Sequence, residues 1–169
     1  GWATPWRVLI TGSLADVVES TLVTDLAPAS AVADASWIEP GVVSWIYWAY
    51  NHGSNDYDIV CQYIDMAAEL HLPYVLIDAE WDEMPTHSTG HQSIEDALQY
   101  AHDKGVRPLI WYNSTTAWID WAPGPKYRLN DPDKREQEFQ WLEDHGVAGV
   151  KIDFFQGDQE QCMNYCIDL

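Results

Sequence analysis

Strand-like and helix-like segments alternate regularly along most of this chain, from about residue 41 onward. Four runs are rich in β-branched and aromatic residues: GVVSWIYWAY, LPYVLIDAE, VRPLIWYNS and GVKIDFF. Apolar residues recur at helical spacing in the segments that follow these runs. Because such an alternation favours parallel strands joined by right-handed crossovers, it predicts an α/β fold with about four βα units. Two architectures fit the pattern, a doubly wound sheet and part of a (β/α)8 TIM barrel.

Capping residues mark the ends of the helices predicted between these strands. Ser93 and Asp96 have the spacing of a capping box, and Gly105 follows the same helical segment as a stop signal. Asp131 precedes Pro132, which is the usual order of a cap and a first helical residue. These signals predict helices beginning near residues 93 and 131.

Residues 1–40 match none of the βα units. The segments TPWRVLITG and STLVTDLA favour two β segments separated by a polar stretch, and a loop-like sequence follows them. We therefore predict an N-terminal β/linker segment over residues 1–40, either an edge hairpin or the remnant of a preceding β domain. The α/β segment then covers residues 41–169.

Charge and composition disfavour several classes of partner and site. The formal net charge of −19 repels nucleic acid and anionic membranes, so neither is an expected partner. No apolar run approaches the roughly 20 residues of a membrane span, and no basic segment followed by an apolar one opens the chain as in a signal peptide. The odd count of three cysteines argues against a disulfide scaffold.

The last predicted strand, GVKIDFF, carries two charged residues within an apolar run. Because side chains alternate along a strand, Lys151 and Asp153 share one face with Phe155. Phe154 belongs to the other face, which would pack on the helices. The pattern therefore places a lysine and an aspartate on the closed side of the sheet.

Polar and aromatic side chains also gather where the other three strands end. The second strand ends in Asp78 and Glu80, the third in Trp111 and Asn113, and the first in Trp48. In β/α barrels and in open α/β sheets, this end of the strands carries the active site. We therefore predict that these five residues bind substrate together with the charged pair of the fourth strand.

Two structural interpretations compete with a functional one. An aspartate in a βα loop often caps the next helix, but the helix after Asp153 is predicted to begin near Asp158, and a long loop follows Asp78. A buried ion pair is the second alternative, although such pairs are costly and often tied to specificity. His87 and His91 lie four apart in a polar loop that is not expected to be helical, so no metal site is predicted.

The Lys151–Asp153 pair suits covalent chemistry at a sugar. A nearby cation favours the ionised form of a carboxylate, which is the form required for attack on an anomeric carbon. Trp48 and Trp111 offer flat faces on which a pyranose could stack. No phosphate-binding glycine loop follows the first strand, which disfavours a nucleotide site.

The strand GVKIDFF resembles the nucleophile strand of glycoside hydrolase family 97, in its retaining α-galactosidase-like branch. The segments GWATPWRVLITG, SWIEPG, YVLIDAEW and LIWYNS are similar to segments of that family in the same order. The resemblance covers nearly the whole chain. It implies a β-sandwich domain, a (β/α)8 catalytic barrel and a small C-terminal β domain, with residues 41–169 as the N-terminal half of the barrel.

The resemblance also implies roles for individual residues. Asp153 matches the nucleophile, while Lys151, Asp78 and a tryptophan at the end of the first strand would contact the sugar. The inverting α-glucosidase branch lacks this carboxylate and uses a glutamate at the third strand, where this chain has WYNS. The general acid/base glutamate and the glutamate ligands of calcium would lie outside this chain, so we expect the segment alone to be inactive.

The expected function is a retaining glycosidase of carbohydrate metabolism that acts on an oligosaccharide or galactoside and is periplasmic or secreted. The exposed edges of a half barrel would also favour self-association. A non-catalytic carbohydrate-binding α/β module and an α-glucosidase are the alternatives. An open flavodoxin-like sheet is a third, and the order of the strands distinguishes it from a barrel.

Overall fold

The computed structural model describes residues 7–116, 121–155, 157 and 160–169. The chain divides into two compact units, Gly1–Glu39 and Pro40–Leu169. The start of the GWATPWRVLITG motif, the middle of the loop after the third strand and Asp158, near which the last helix was predicted to begin, lie outside the described residues.

The first unit contains two short helices, α1 (Leu14–Val18) and α2 (Leu22–Asp25). The strand predicted over residues 20–27 is therefore wrong, and residues 7–12 form no strand either. Ser13 caps α1, because its hydroxyl accepts a hydrogen bond from the Asp16 N–H while the Asp16 carboxylate accepts one from the Ser13 N–H. Local bonds of serine and aspartate side chains thus outweigh the β-branched content of this segment.

Four parallel strands in the second unit form one sheet in the order β1-β2-β3-β4. They are β1 (Val43–Trp45), β2 (Tyr74–Ile77), β3 (Arg107–Asn113) and β4 (Gly149–Asp153). Strands that are consecutive in sequence are neighbours in the sheet, and the described strands contain no point at which the order reverses. This order confirms the predicted α/β fold with about four βα units, and it favours part of a barrel over a doubly wound sheet.

Helices connect these strands as the capping residues predicted. The helices are α3 (Tyr57–Glu69), α4 (Met84–His87), α5 (Ile94–Asp103), α6 (Pro132–Asp144) and α7 (Glu160–Asp168). Ser93 and Asp96 form a capping box at α5, and the Asp131 side chain accepts a hydrogen bond from the Lys134 N–H at α6. Gly105 has the positive φ of a helix stop. None of these helices, nor any other in the described residues, is long and apolar enough to cross a membrane.

The loop after β2 is more ordered than its polar composition indicates. It contains a 3₁₀ turn, Trp81–Glu83, followed by α4. The prediction that His87 lies in a non-helical loop is therefore wrong. Pro85 lies in the first turn of α4, where its missing N–H costs no helical hydrogen bond.

The helices cover one face of the sheet and form the core with it. Alternate strand residues, among them Val75, Ile77 and Ile110, are fully buried against residues of α3 and α5. The strand register places the other alternate residues together on the opposite face. Leu76 pairs with Leu109, Trp111 with Lys151, and Asn113 with Asp153. The core therefore sits on the helix side, and the charged residues of β4 lie on the other side.

Candidate active site

A cavity of about 500 Å³ opens at the C-terminal ends of the strands. Residues from the end of every strand, or from the loop after it, contribute to its lining. Among them are the predicted residues Trp48, Asp78, Trp111, Lys151 and Asp153. The cavity therefore lies where β/α folds place their ligands, and it brings five of the seven predicted residues together.

Lys151 is the central charge of this cavity. Its Nζ lies 3.1 Å from Oδ2 of Asp78 and 3.5 Å from Oδ2 of Asp153. The same ammonium group lies over the Trp45 ring, 4.7 Å from its centroid. The lysine thus links two carboxylates that are 75 positions apart in the chain, by subtraction of their residue numbers.

Asp78 is enclosed and its carboxylate is fully engaged. The residue is only 3% exposed. Its Oδ2 accepts a hydrogen bond from the indole N–H of Trp45 at 2.7 Å, and its Oδ1 accepts one from the Ala79 N–H at 2.9 Å. With Lys151 as a third partner, this carboxylate holds the ammonium group in place and presents little free surface to a substrate.

Asp153 is the accessible carboxylate of the pair. Its side chain is 47% exposed, although Oδ1 accepts a hydrogen bond from the Phe154 N–H at 2.8 Å. The indole N–H of Trp111 donates to Oδ2 at 3.3 Å. The carboxylate is therefore oriented from two sides and still open to the cavity, as a group that attacks a substrate must be.

Aromatic rings form the walls of the cavity. Trp111 is almost fully buried and packs edge-on against Phe154, with ring centroids 5.8 Å apart. Trp48 is 83% exposed and makes an edge contact with Trp45 at 5.8 Å. Rings of this kind offer the apolar faces on which sugars pack.

Glu80 and Asn113 do not line the cavity, although the sequence placed them with the other site residues. β2 ends at Ile77, so the strand alternation that put Glu80 beside Asp78 does not reach it. The Glu80 carboxylate instead contacts His52, whose Nδ1 lies 2.6 Å from Oε2. The Asn113 amide is buried, and it donates to the carbonyl of Pro123 at 2.9 Å. Both side chains hold loops around the cavity.

Phe154 and Phe155 take the opposite sides from those predicted. β4 ends at Asp153, and Phe154 has a positive φ of 60°. This conformation turns its ring into the cavity lining. Phe155 instead contacts Tyr165 of α7, with ring centroids 6.0 Å apart. A residue with left-handed backbone geometry interrupts the alternation on which the prediction relied.

Sequence reasoning missed Trp45 and Tyr47, which also line the cavity. Trp45 is the last residue of β1, three positions before the tryptophan that was selected. Strand alternation separates Trp45 from Trp48, but only the pairing of β1 with β2 shows that Trp45 lies on the same face as Leu76. Alternation therefore separated the two tryptophans in the sequence, but the sequence did not show which face of the strand points to the cavity.

The described residues provide no ligand set for the calcium ion that the resemblance implies. No three histidine, cysteine, aspartate or glutamate side chains come together among them in a way that would hold a metal. His87 contacts Glu83 at 3.4 Å, and Nδ1 of His91 lies 2.9 Å from the Pro85 carbonyl oxygen.

Comparison with known proteins gives consistent matches. The model of the family described as Glycoside hydrolase 97 matches residues 37–169. A probable retaining alpha-galactosidase of Streptomyces bingchenggensis is 34% identical over 171 residues, covering 96% of this chain and 25% of that protein. A retaining alpha-galactosidase of Bacteroides thetaiotaomicron is 27% identical over 167 residues, covering 93% and 23%.

A solved structure also resembles this chain. The crystal structure of a beta-arabinopyranosidase superimposes with a TM-score of 0.78 at 34% identity, covering 90% of this chain and 24% of that one. The chain thus spans about a quarter of the length of the curated relatives and of this structure.

Proposed function

Because the chain belongs to glycoside hydrolase family 97, as its strand motifs indicated, we propose that the protein carrying it is a retaining glycosidase of the α-galactosidase type. The observation that supports this most directly is the exposed carboxylate of Asp153, held beside Lys151 in a cavity with tryptophan walls. Two relatives whose names specify a retaining α-galactosidase support the same reaction.

Asp153 acts as the nucleophile in this proposal. One of its oxygens forms a bond to the anomeric carbon while the bond from that carbon to the leaving oxygen breaks, which gives a glycosyl-enzyme ester. A general acid protonates the leaving oxygen, and the same group as a base then activates the water that hydrolyses the ester. Asp78 does not fit this second role, because its carboxylate is enclosed and bound to Lys151. The family resemblance places the acid/base on a residue outside this chain.

Lys151 and the aromatic residues position the sugar. The Lys151 side chain is 35% exposed, and its ammonium group can donate a hydrogen bond to a sugar hydroxyl while it remains in contact with Asp78. Trp48 and Trp111 bound the space in which the ring would lie. The sugar-binding function of Asp78 is then mainly indirect, through the lysine that it holds.

Other properties of the protein rest on the family resemblance. A periplasmic or secreted location and a role in carbohydrate metabolism follow from it. The resemblance places the glutamate ligands of a calcium ion outside this chain, and the described residues provide no ligand set of their own. β1 and β4 are the edges of the described sheet, and in the isolated segment they favour self-association.

A second candidate is the cleavage of β-arabinopyranosides. The structural neighbour named a beta-arabinopyranosidase is as similar in sequence to this chain as the Streptomyces relative. An L-arabinopyranose in the β configuration matches an α-D-galactopyranose except that it lacks the hydroxymethyl group. The same nucleophile and lysine therefore serve both reactions, and discrimination depends on whether the complete site accommodates that group.

The test uses the protein at its full natural length with aryl α-galactoside and aryl β-arabinopyranoside substrates. We expect the sugar to be released first with the same anomeric configuration as in the substrate. NMR of the early products measures that configuration. Asp153→Asn should lower kcat by at least about 10³-fold. The matched control is Asp103→Asn at the exposed end of α5, which should leave kcat unchanged. Normal turnover by Asp153→Asn, or inversion of configuration, would contradict the proposal.

A further inference from the structure

Glu80 connects three of the loops that surround the cavity. Its Oε2 lies 2.6 Å from Nδ1 of His52 and accepts a hydrogen bond from the Asn55 amide at 3.3 Å. Its backbone N–H donates to the carbonyl oxygen of Gly124 at 2.8 Å. One residue therefore joins the loop after β2 to the loop after β1 and to the loop after β3.

Three of the residues joined in this way are next in sequence to a residue of the cavity wall. His52 follows Asn51, and Glu80 follows Ala79. Gly124 follows Pro123 in the same manner. His52, Glu80 and Gly124 therefore form a layer of contacts one residue away in sequence from the cavity lining, on three successive loops.

The same layer reaches the backbone of Asp78. The Asp78 N–H donates to the Ser54 hydroxyl at 2.8 Å, and Ser54 lies in the 3₁₀ turn Gly53–Asn55 that also supplies the Asn55 amide. The segment from Asp78 to Glu80 is thus tied to this turn at both of its ends. Any displacement of the turn would move the carboxylate that holds Lys151.

His52 and Glu80 both adopt backbone conformations that side-chain-bearing residues seldom use. Their φ values are 64° and 71°, in the left-handed region. The Glu80 side chain is only 17% exposed, so its carboxylate is committed to this contact. Residues in such conformations persist only where their surroundings hold them, and they concentrate at functional sites.

We propose that His52 and Glu80 are positioning residues, which fix the wall of the cavity from behind and touch neither the sugar nor Asp153. They act through Asn51, Ala79 and Pro123 and through the backbone of Asp78. This assignment replaces the predicted role of Glu80 as a sugar ligand. The expected effect of these two residues on turnover rests on the proposed function. Their expected effect on the loops does not depend on any substrate.

Three variants of the full-length protein test the proposal through turnover. His52→Gly removes the imidazole while it suits the positive φ, and Glu80→Ala removes the carboxylate. Because a displacement of about 1 Å at a site can cost on the order of 10²-fold, we expect each variant to lower kcat/KM by about 10- to 100-fold. The double variant should lose no more than the larger single loss, because the two residues form one contact.

Two further variants separate positioning from general destabilisation. Glu80→Gln keeps an oxygen that can accept the imidazole N–H, so it should retain most of the activity that Glu80→Ala loses. His71→Gly is the matched control, because His71 also has a positive φ, 56°, and lies at the far end of α3 from the cavity. It should leave kcat/KM unchanged.

Hydrogen exchange provides the readout that does not depend on the substrate. Glu80→Ala should raise the exchange of amides in residues 51–54, 78–81 and 122–126 together, while amides of α5 stay protected. If the wild-type protein hydrolyses neither test substrate but Glu80→Ala raises the exchange in all three loops, the proposed function fails and the positioning role stands. Losses that multiply in the double variant, or exchange that rises in one loop only, would overturn the positioning role.

Discussion

The two faces of the sheet come from alternate residues of the same four strands, yet their chemistry is opposite. On the helix side, Val75, Ile77 and Ile110 are fully buried among apolar side chains. On the other side, the same strands carry the carboxylate–lysine cluster and its tryptophans. The comparison shows that a strand can provide core on one face and a reactive site on the other, at adjacent positions.

Solvent access is what makes the charged face tolerable. Removing a charge from water is costly, and a buried ion pair seldom recovers that cost. Lys151 and Asp153 avoid most of it because their side chains remain 35% and 47% exposed in the cavity. Asp78 is buried and does not avoid this cost, but three hydrogen-bond donors surround its carboxylate. Burial and hydrogen bonding therefore increase together across this face.

After Asp153→Asn, Lys151→Met gives the largest expected effect on the reactive face. The variant keeps an unbranched side chain of similar length but removes the charge between Asp78 and Asp153. Loss of one preorganised electrostatic partner typically costs about 10²–10³-fold in kcat, so we expect a fall of that size in assays of the full-length protein. Lys104→Met is the matched control, since Lys104 also pairs with an aspartate, Asp65, but lies on the helix side. Equal losses in both variants would contradict the contrast between the faces.

The helix side of the sheet could be predicted well from the sequence. Long β-branched runs marked the strands, and local capping signals such as Ser93 with Asp96 marked the helices. Such signals depend on a few neighbouring residues, so they can be interpreted without knowing which distant parts of the chain they contact. They failed in residues 20–27, where serine, threonine and aspartate side chains favour short helical turns over a strand, and in residues 7–12, which form no strand.

The reactive side could be predicted only in part. Alternation placed Lys151, Asp153 and Trp111 on the cavity side, and all three lie within strands. It also grouped Asp78 with the cavity residues, one position beyond the end of β2. It failed for Glu80 and Phe154, which follow the strand ends and have positive φ. Where a strand stops depends on partners from distant loops, such as the Gly124 carbonyl that binds the Glu80 N–H. A local pattern contains no information about such partners.

Ile110→Val examines the helix side of the comparison and should have a moderate effect. The side chain of Ile110 is fully buried, so loss of one methylene leaves a small cavity. We expect the free energy of unfolding to fall by about 1 kcal/mol, measured with urea, and kcat of the folded protein to stay unchanged. Ile167→Val is the control, because Ile167 is 77% exposed on α7. A fall in kcat for Ile110→Val at low temperature would show that the two faces are coupled.

Asp82→Asn should give the smallest effect. Asp82 is a carboxylate on the helix side, which is otherwise mostly apolar. Asp82 lies in the turn Trp81–Glu83 beside a second cavity lined by residues of α5 and α6, and Arg128 is its nearest described cation at 3.9 Å. Burial raises the pKa of the Asp82 carboxyl above 3.8, and the distant arginine offsets this only in part. The charged form of Asp82 therefore disfavours the folded state.

The sign of the pH dependence follows from this shift. When the folded pKa is above the unfolded value, the unfolded chain loses its proton first as the pH rises, so stability falls from about pH 3.8 up through the folded pKa. Asp82→Asn removes that loss, so the variant should be slightly more stable than wild type at neutral pH and no different below pH 3.8. Asp65→Asn should show the opposite sign, because the Lys104 hydrogen bond lowers the pKa of Asp65 and stabilises its charged form in the fold. Urea unfolding of both variants across this pH range measures the two differences. If both substitutions changed the free energy of unfolding in the same direction at neutral pH, burial and pairing would not explain the difference between Asp82 and Asp65.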